Sequence, residues 1–152
     1  GVKIELIVRG ICCIKAGVPG LSDNISVRSI VGNYLEHSRI FYFYNDGFED
    51  IYMGSADWMP RNLDKRVEIT FPVEDPELKK KIKNILKIQL EDTLKAHIMQ
   101  PDGSYAKQDL RGKAKLDSQM YFVKLAQESQ KPVKEEDNDR VFIPVESHGD
   151  NE

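Results

Sequence analysis

The sequence predicts one α/β domain with a mixed β-sheet flanked by helices, and three observations carry that prediction. Short β-branched or aromatic segments with period-two alternation recur through the N-terminal half, at residues 3–9, 25–31 and 39–44. A long segment beginning at Asp75 changes to helical spacing, with apolar residues three and four apart. The length of 152 residues, at 40% hydrophobic and 31% charged, suits a single domain with one core.

In chain order, residues 3–9 set Ile4, Leu6 and Val8 against Lys3, Glu5 and Arg9, with Val2 and Ile7 alongside, and read as a strand buried on both faces. Gly17-Val18-Pro19-Gly20 is turn chemistry, Pro presetting its own φ and Gly accepting a positive one, and Asp23-Asn24 is a second loop element. Residues 25–31 alternate as a strand. Residues 32–37 read as one or two helical turns carrying Tyr34 and Leu35. Residues 39–44 are a strand, Ile51-Tyr52-Met53 its partner, and residues 45–50 the hairpin loop between them. Residues 66–71 form a further strand. Asp75 is a good N-cap, Pro76 suits the first helical position, and Glu77 favours the positive end of the helix. Leu78, Ile82, Ile85, Leu86, Leu90 and Leu94 then make one amphipathic helix reaching about Ala96, with Lys79, Lys80, Lys81, Lys83 and Lys87 over the rest of its surface. Pro101-Asp102-Gly103-Ser104 is a turn, and residues 114–127 read as a second helix. From Lys131 onward the composition is that of a disordered tail; Pro144 limits its one apolar patch, Val141 to Val145, to an edge-strand role.

Composition narrows the function classes. No apolar run approaches the roughly 20 residues a bilayer requires, so membrane association is not indicated. The chain opens directly in strand-like sequence without Met, signal peptide or transit segment, and reads as a piece of a longer protein. The two cysteines, Cys12 and Cys13, are adjacent and do not suit a mutual disulfide; they read as core residues of a protein from the reducing cytoplasm. The net charge of −3 is uneven. Residues 127–152 hold eight acidic and three basic side chains, leaving nineteen basic against seventeen acidic before them. The folded part is therefore near neutral with local basic clusters, which keeps an anionic substrate open.

Of the three histidines, His97 reads as a helix-end residue and His148 lies in the acidic tail, both surface positions. His37 differs, standing two residues before Arg39 at the mouth of an apolar strand, with Gly54-Ser55-Ala56-Asp57 following the hairpin. This resembles the half-site of the phospholipase D superfamily, a His-x-Lys, a later Asp, then Gly-Ser with an Asn; here Arg39 replaces the Lys and Tyr44 stands where the Asp would be. The chemistry is coherent. An imidazole attacks phosphorus or protonates a leaving oxygen, a cation two residues along a strand points to the same side, and a hydroxyl holds phosphate oxygens.

A longer series of residues is more specific. Arg9-Gly10-Ile11-Cys12-Cys13, Gly17-Val18-Pro19-Gly20-Leu21-Ser22-Asp23-Asn24-Ile25, Ser29-Ile30-Val31-Gly32-Asn33-Tyr34-Leu35-Glu36-His37-Ser38-Arg39-Ile40, Ser55-Ala56-Asp57-Trp58-Met59-Pro60-Arg61-Asn62-Leu63 and Arg66-Val67-Glu68 together resemble the C-terminal region of bacterial polyphosphate kinases, the family that makes long-chain polyphosphate. The resemblance covers about residues 4–126. It implies that residues 1–130 are the second of two phospholipase-D-like domains; residues 131–152 lie outside it and are expected, from composition, to be a flexible acidic tail. It implies reversible transfer of the terminal phosphate of ATP to inorganic polyphosphate through a phosphohistidine in the preceding domain. His37 matches the family's assisting active-site histidine, and Arg9 an arginine that contacts the ATP phosphates. The Mg2+ of the parent enzyme would be bound by the preceding domain, so no metal ligand is expected in this chain. Expected partners are ATP and ADP, polyphosphate, the rest of the parent chain and further copies of the full-length enzyme, with no nucleic acid. Alone, the chain is expected to be inactive.

The residues fit these roles, with alternatives open. Arg39 and Arg61 suit either phosphate contact or structural ion pairs. Glu36 or Glu68 would orient the His37 ring, Ser55 and Asp57 would fix the corner beside it, and Trp58 reads as packing rather than a base platform. Two other function classes remain: a phosphodiesterase or nuclease half-site active as a homodimer, and a non-catalytic polyphosphate-binding module using the lysines between Lys79 and Lys87.

Overall fold

Strands and helices follow one another as β1 (Ile4–Ile7), β2 (Ile25–Ile30), β3 (Ile40–Phe43), β4 (Asp50–Gly54), α1 (Pro60–Lys65), β5 (Thr70–Pro72), α2 (Pro76–Leu90), β6 (Ala96–Met99), β7 (Tyr105–Lys107) and α3 (Ser118–Ser129) in the computed structural model, which describes residues 1–130. The strands form two sheets. One is mixed, ordered β1-β2-β6-β7, with β1 parallel to β2 and the other pairs antiparallel. The other, β3-β4-β5, is antiparallel throughout. The α/β class with helices flanking a mixed sheet is present, and the aromatic hairpin has a sheet of its own.

Each sheet has its own small core. Val27, Met99 and Ala16 are buried together, with Leu6, Val8, Cys12 and Ile25 packed on them. Ile51, Val73 and Ile82 form the second core, lined by Ile40, Tyr42 and Met53, so α2 covers the hairpin sheet through Ile82. The helix starts as its sequence dictates, the Asp75 carboxylate accepting from the Leu78 N–H at 2.9 Å with Pro76 in the first turn. The hairpin loop also follows its sequence: Asn45, Asp46 and Gly47 all take positive φ, which Asn, Asp and Gly tolerate best.

Several expectations need correction. β1 is an edge strand with Ile4 and Glu5 exposed, so it is not buried on both faces. Residues 32–37 form no helix: the Tyr34 N–H and carbonyl both pair with the Gln119 side-chain amide, which takes the place of helical hydrogen bonds. The strand expected at residues 66–71 is confined to Thr70–Pro72, because Glu68 turns its side chain back onto Ser55 and Asn62. The long helix ends at Leu90 rather than near Ala96. Asp92 there accepts from the Lys95 and Ala96 N–H groups and turns the chain into β6, which puts His97 on a strand. The last helix begins at Ser118, capped by Asp117, four residues later than its composition suggests. Cys13 is exposed, and only Cys12 packs on a core. The tail, with its Val141 to Val145 patch and His148, lies outside the described residues.

Candidate functional site

Three chain segments meet at one corner of the molecule. Arg9 follows the C-terminal end of β1, residues 31–39 connect β2 to β3, and Asp57 follows β4. The Arg9 guanidinium donates through Nη1 to the Glu36 carbonyl at 2.6 Å and through Nη2 to both Asp57 carboxylate oxygens at 3.1 and 3.2 Å. Arg39, the first residue ahead of β3, donates through Nε to the same carboxylate at 3.2 Å and through Nη1 to the His37 carbonyl at 2.8 Å. Asp57 thus holds two guanidiniums side by side, and each also grips the backbone next to or at His37. The corner is open to solvent: the side chains of Arg9 and Asp57 are each 29% exposed, that of Arg39 24%, and His37 is exposed.

The electrostatics follow from this geometry. The Asp57 carboxyl is held below the usual carboxylate range, first by the Arg39 hydrogen bond and then by the charges of Arg39 and Arg9. A guanidinium carries five N–H donors, and the bonds to Asp57 and the two carbonyls occupy only some of them. What remains is a pair of adjacent cations with donors free to take an anion.

The structure brings Arg9, Arg39, Asp57 and the His37 backbone together and distributes the remaining candidates elsewhere. Neither carboxylate expected to orient the His37 ring does so. Glu36 turns inward, accepting from the Gln89 amide at 3.0 Å and the Gln119 amide at 2.8 Å. Glu68 accepts from the Ser55 hydroxyl and from the Asn62 amide at 2.8 Å, and these bonds keep its carboxyl below the usual range. Ser55 also accepts from the Ile69 N–H at 3.1 Å, so it ties together the two ends of the connection that carries α1 between β4 and β5. Gly54 keeps that approach close: a Cβ there would stand 3.1 Å from the Ile69 carbonyl oxygen, which would have to yield by a few tenths of an ångström. Arg61 is exposed on α1. Trp58 packs on Phe41, stacked with 5.6 Å between centroids, but does so at the surface, 76% exposed. Of the lysines on α2, Lys79 donates to the Glu49 carbonyl, Lys83 pairs with the Glu49 carboxylate, and Lys87 lies 3.9 Å from Glu91. Lys80 and Lys81 are exposed.

Sequence reasoning missed Gln89, Gln119 and Asn62, all buried. For the two glutamines a signal existed. Gln89 falls seven residues after Ile82 and four after Ile85, and Gln119 falls three before Phe122 and four before Val123, so each interrupts an apolar stripe. A polar side chain at such a position needs a partner. Among the described residues no three His, Cys, Asp or Glu side chains gather as a metal site, and the corner offers only the Asp57 carboxylate, already held by two cations. Mg2+ therefore does not fit these residues. Among the described residues no helix is long and apolar enough to cross a membrane.

Residues 1–119 match a family described as polyphosphate kinase C-terminal domain 2. A polyphosphate kinase of Lactiplantibacillus plantarum is 52% identical over 131 residues, which are 86% of this chain and 18% of that protein. Polyphosphate kinase 1 of Chlorobaculum tepidum is 55% identical over 125 residues, 82% of this chain and 18% of that protein. The crystal structure of polyphosphate kinase from Porphyromonas gingivalis matches with a TM-score of 0.77 at 41% identity, over 85% of this chain and 20% of that one. The chain thus spans about a fifth of the length of each of these relatives.

Proposed function

The chain belongs to the polyphosphate kinase C-terminal domain 2 family, and from that premise we propose that it supplies the nucleotide-phosphate half of an active site that reversibly moves the terminal phosphate of ATP onto inorganic polyphosphate. The observation that carries the reading is the pair of guanidiniums, Arg9 and Arg39, held on Asp57 and on the backbone at His37. In phosphoryl transfer a protein mostly positions groups and neutralises charge on the moving oxygens, and two forked cations at an exposed corner suit that work.

The residues divide the task. Arg9 and Arg39 take phosphate oxygens with the N–H groups not engaged by Asp57 and the two carbonyls. His37, exposed between them in sequence, binds the nucleotide phosphate and gives a proton to the oxygen that leaves with ADP. The phosphoryl group rests on a histidine of the preceding domain before it passes to the terminal oxygen of polyphosphate, and the reverse sequence returns it to ADP. Mg2+ would be held outside this chain. The rest of the parent chain is then an obligatory partner, and the isolated chain is inactive.

The test uses the full-length protein with ATP labelled at its terminal phosphate. His37→Ala should lower turnover by about 10²–10⁴-fold without shifting the thermal melt, and the isolated chain should neither make polyphosphate nor acquire acid-labile label. Wild-type turnover in His37→Ala overturns the assignment of that residue. Label on His37 in the isolated chain turns the reading to a homodimeric phosphodiesterase.

A further inference from the structure

The connection between β2 and β3 carries His37 and lacks helix or strand over residues 31–39, so its conformation must be set by something other than a regular hydrogen-bond ladder. Two buried side chains set it. The Gln119 amide accepts from the Tyr34 N–H at 3.0 Å and donates to the Tyr34 carbonyl at 2.7 Å, pairing with the loop as a neighbouring strand would. Its remaining N–H donates to one Glu36 carboxylate oxygen at 2.8 Å, and the Gln89 amide donates to the other at 3.0 Å. Gln119 is 5% exposed and Gln89 7%, and they come from different helices, α3 and α2. Gly32 leaves the room: a Cβ there would collide with the Gln119 amide. The side chain of Glu36 is thus held at both oxygens. Its carbonyl is the anchor of Arg9, and the next carbonyl, that of His37, is the anchor of Arg39.

We infer that Glu36, clamped by Gln89 and Gln119, is the positioning residue of this site, setting the two successive carbonyls from which Arg9 and Arg39 are aimed and the backbone from which His37 projects. This rests on the proposed phosphate-handling role of those three residues. Glu36 touches no substrate. It acts through its neighbours, and its effect is geometric: a displacement of about 1 Å at reacting groups costs on the order of 10²-fold in rate.

A role in folding alone and a role in positioning differ in what they change. If the clamp only supported the fold, its loss would lower the melting temperature and the amount of folded enzyme, and each folded molecule would work normally. If it positions the site, folded molecules work badly, with a higher KM for ATP because Arg9 and Arg39 lose their anchors and a lower kcat because His37 shifts. The experiment measures both constants per folded molecule in the full-length protein. Glu36→Gln keeps one acceptor oxygen and sets its amide N–H against one of the two amide donors, and Gln119→Glu sets two carboxylates together and a carboxylate oxygen against the Tyr34 carbonyl. Each should lower kcat/KM by about 10- to 100-fold, shared between kcat and KM. The pair Glu36→Gln with Gln119→Glu restores a donor facing an acceptor between the two side chains but leaves the Tyr34 carbonyl without its donor, so it should recover part of the loss and exceed either single variant in kcat/KM. Gln89→Leu, which removes one donor and completes the apolar stripe that Gln89 interrupts, serves if Gln119→Glu does not fold. Unchanged KM and kcat in Glu36→Gln and Gln89→Leu beside an inactive His37→Ala would overturn the inference alone. Full activity in His37→Ala would overturn the reading of the site, and this inference with it.

Discussion

Two aspartates of this chain are each gripped by several donors, and the donors differ in kind. Asp92 is fully buried at the junction of α2, β6 and α3, accepting from the Lys95 and Ala96 N–H groups through one oxygen and from the Ser118 N–H and hydroxyl through the other. Asp57 sits at an open corner and accepts from two arginines. Backbone and hydroxyl donors close around Asp92 and leave nothing over. Guanidiniums have more donors than one carboxylate can use, so the Asp57 corner retains capacity for a further anion. A carboxylate completed by the backbone therefore marks a fold joint, and a carboxylate shared by arginines marks a place where another ligand fits.

Breaking the closed joint should have the largest effect on stability. Asp92→Ala leaves two backbone N–H groups at the start of β6 and the buried Ser118 donors without acceptors. The expected loss is roughly 3–5 kcal/mol, read from denaturant unfolding. Asp92→Asn, which keeps one carbonyl oxygen in place, should lose less. A loss below that of an ordinary surface substitution would show that other groups take up these donors.

Breaking the open joint should do the reverse. Asp57→Ala frees two partly exposed arginines that still bind backbone carbonyls, so the stability change should be near that of a surface ion pair, about 0.2–1 kcal/mol. Activity should fall by roughly 10- to 100-fold, because the guanidiniums lose their common reference. Arg9→Lys should also raise the KM for ATP, since an ammonium cannot bridge the Glu36 carbonyl and Asp57 while presenting a fork to phosphate. Steady-state kinetics with melts on the same samples checks both. A large stability loss with unaltered kinetics would make Asp57 a fold joint like Asp92.

The same contrast explains what was legible in the sequence. The Asp75-Pro76 helix start, the Asn45-Asp46-Gly47 turn and the aromatic hairpin are local, and local rules suffice for them. His37, Arg39 and Asp57 are legible because their types and spacing suit phosphate chemistry, and Arg9 only through the resemblance to polyphosphate kinases. Their mutual contacts span up to 48 positions and had to be seen. At residues 32–37 sequence reasoning failed because a long-range side chain had replaced a local bond. Gln119, 85 residues from Tyr34, holds a loop that reads as helical, and Glu36 faces the helices rather than the His37 ring. The polar interruptions at Gln89 and Gln119 were visible as breaks in apolar stripes, although nothing local named their partners.

The smallest expected effect is the dependence of the open joint on pH. The Asp57 carboxyl is depressed by Arg39 and Arg9, so the folded state holds its proton less tightly than the unfolded chain does. Such a group contributes stability that is fully present above the ordinary Asp value, about 3.9, and is lost as pH falls through the lower folded value. Asp57→Asn cannot titrate and makes no ion pair. The stability difference between wild type and Asp57→Asn, near 0.2–1 kcal/mol at neutral pH for a pair this exposed, should therefore shrink below about pH 4. About 1 M salt should shrink it at neutral pH too, because exposed pairs are screened. The backbone and hydroxyl bonds of Asp92 lie out of reach of that screening, so the cost of Asp92→Ala should stay nearly constant as salt is added. Chemical unfolding from pH 3 to pH 7, with and without salt, reads both variants. A difference at Asp57 that persists in acid and in salt would mean that its packing, and not its charge, holds the two arginines.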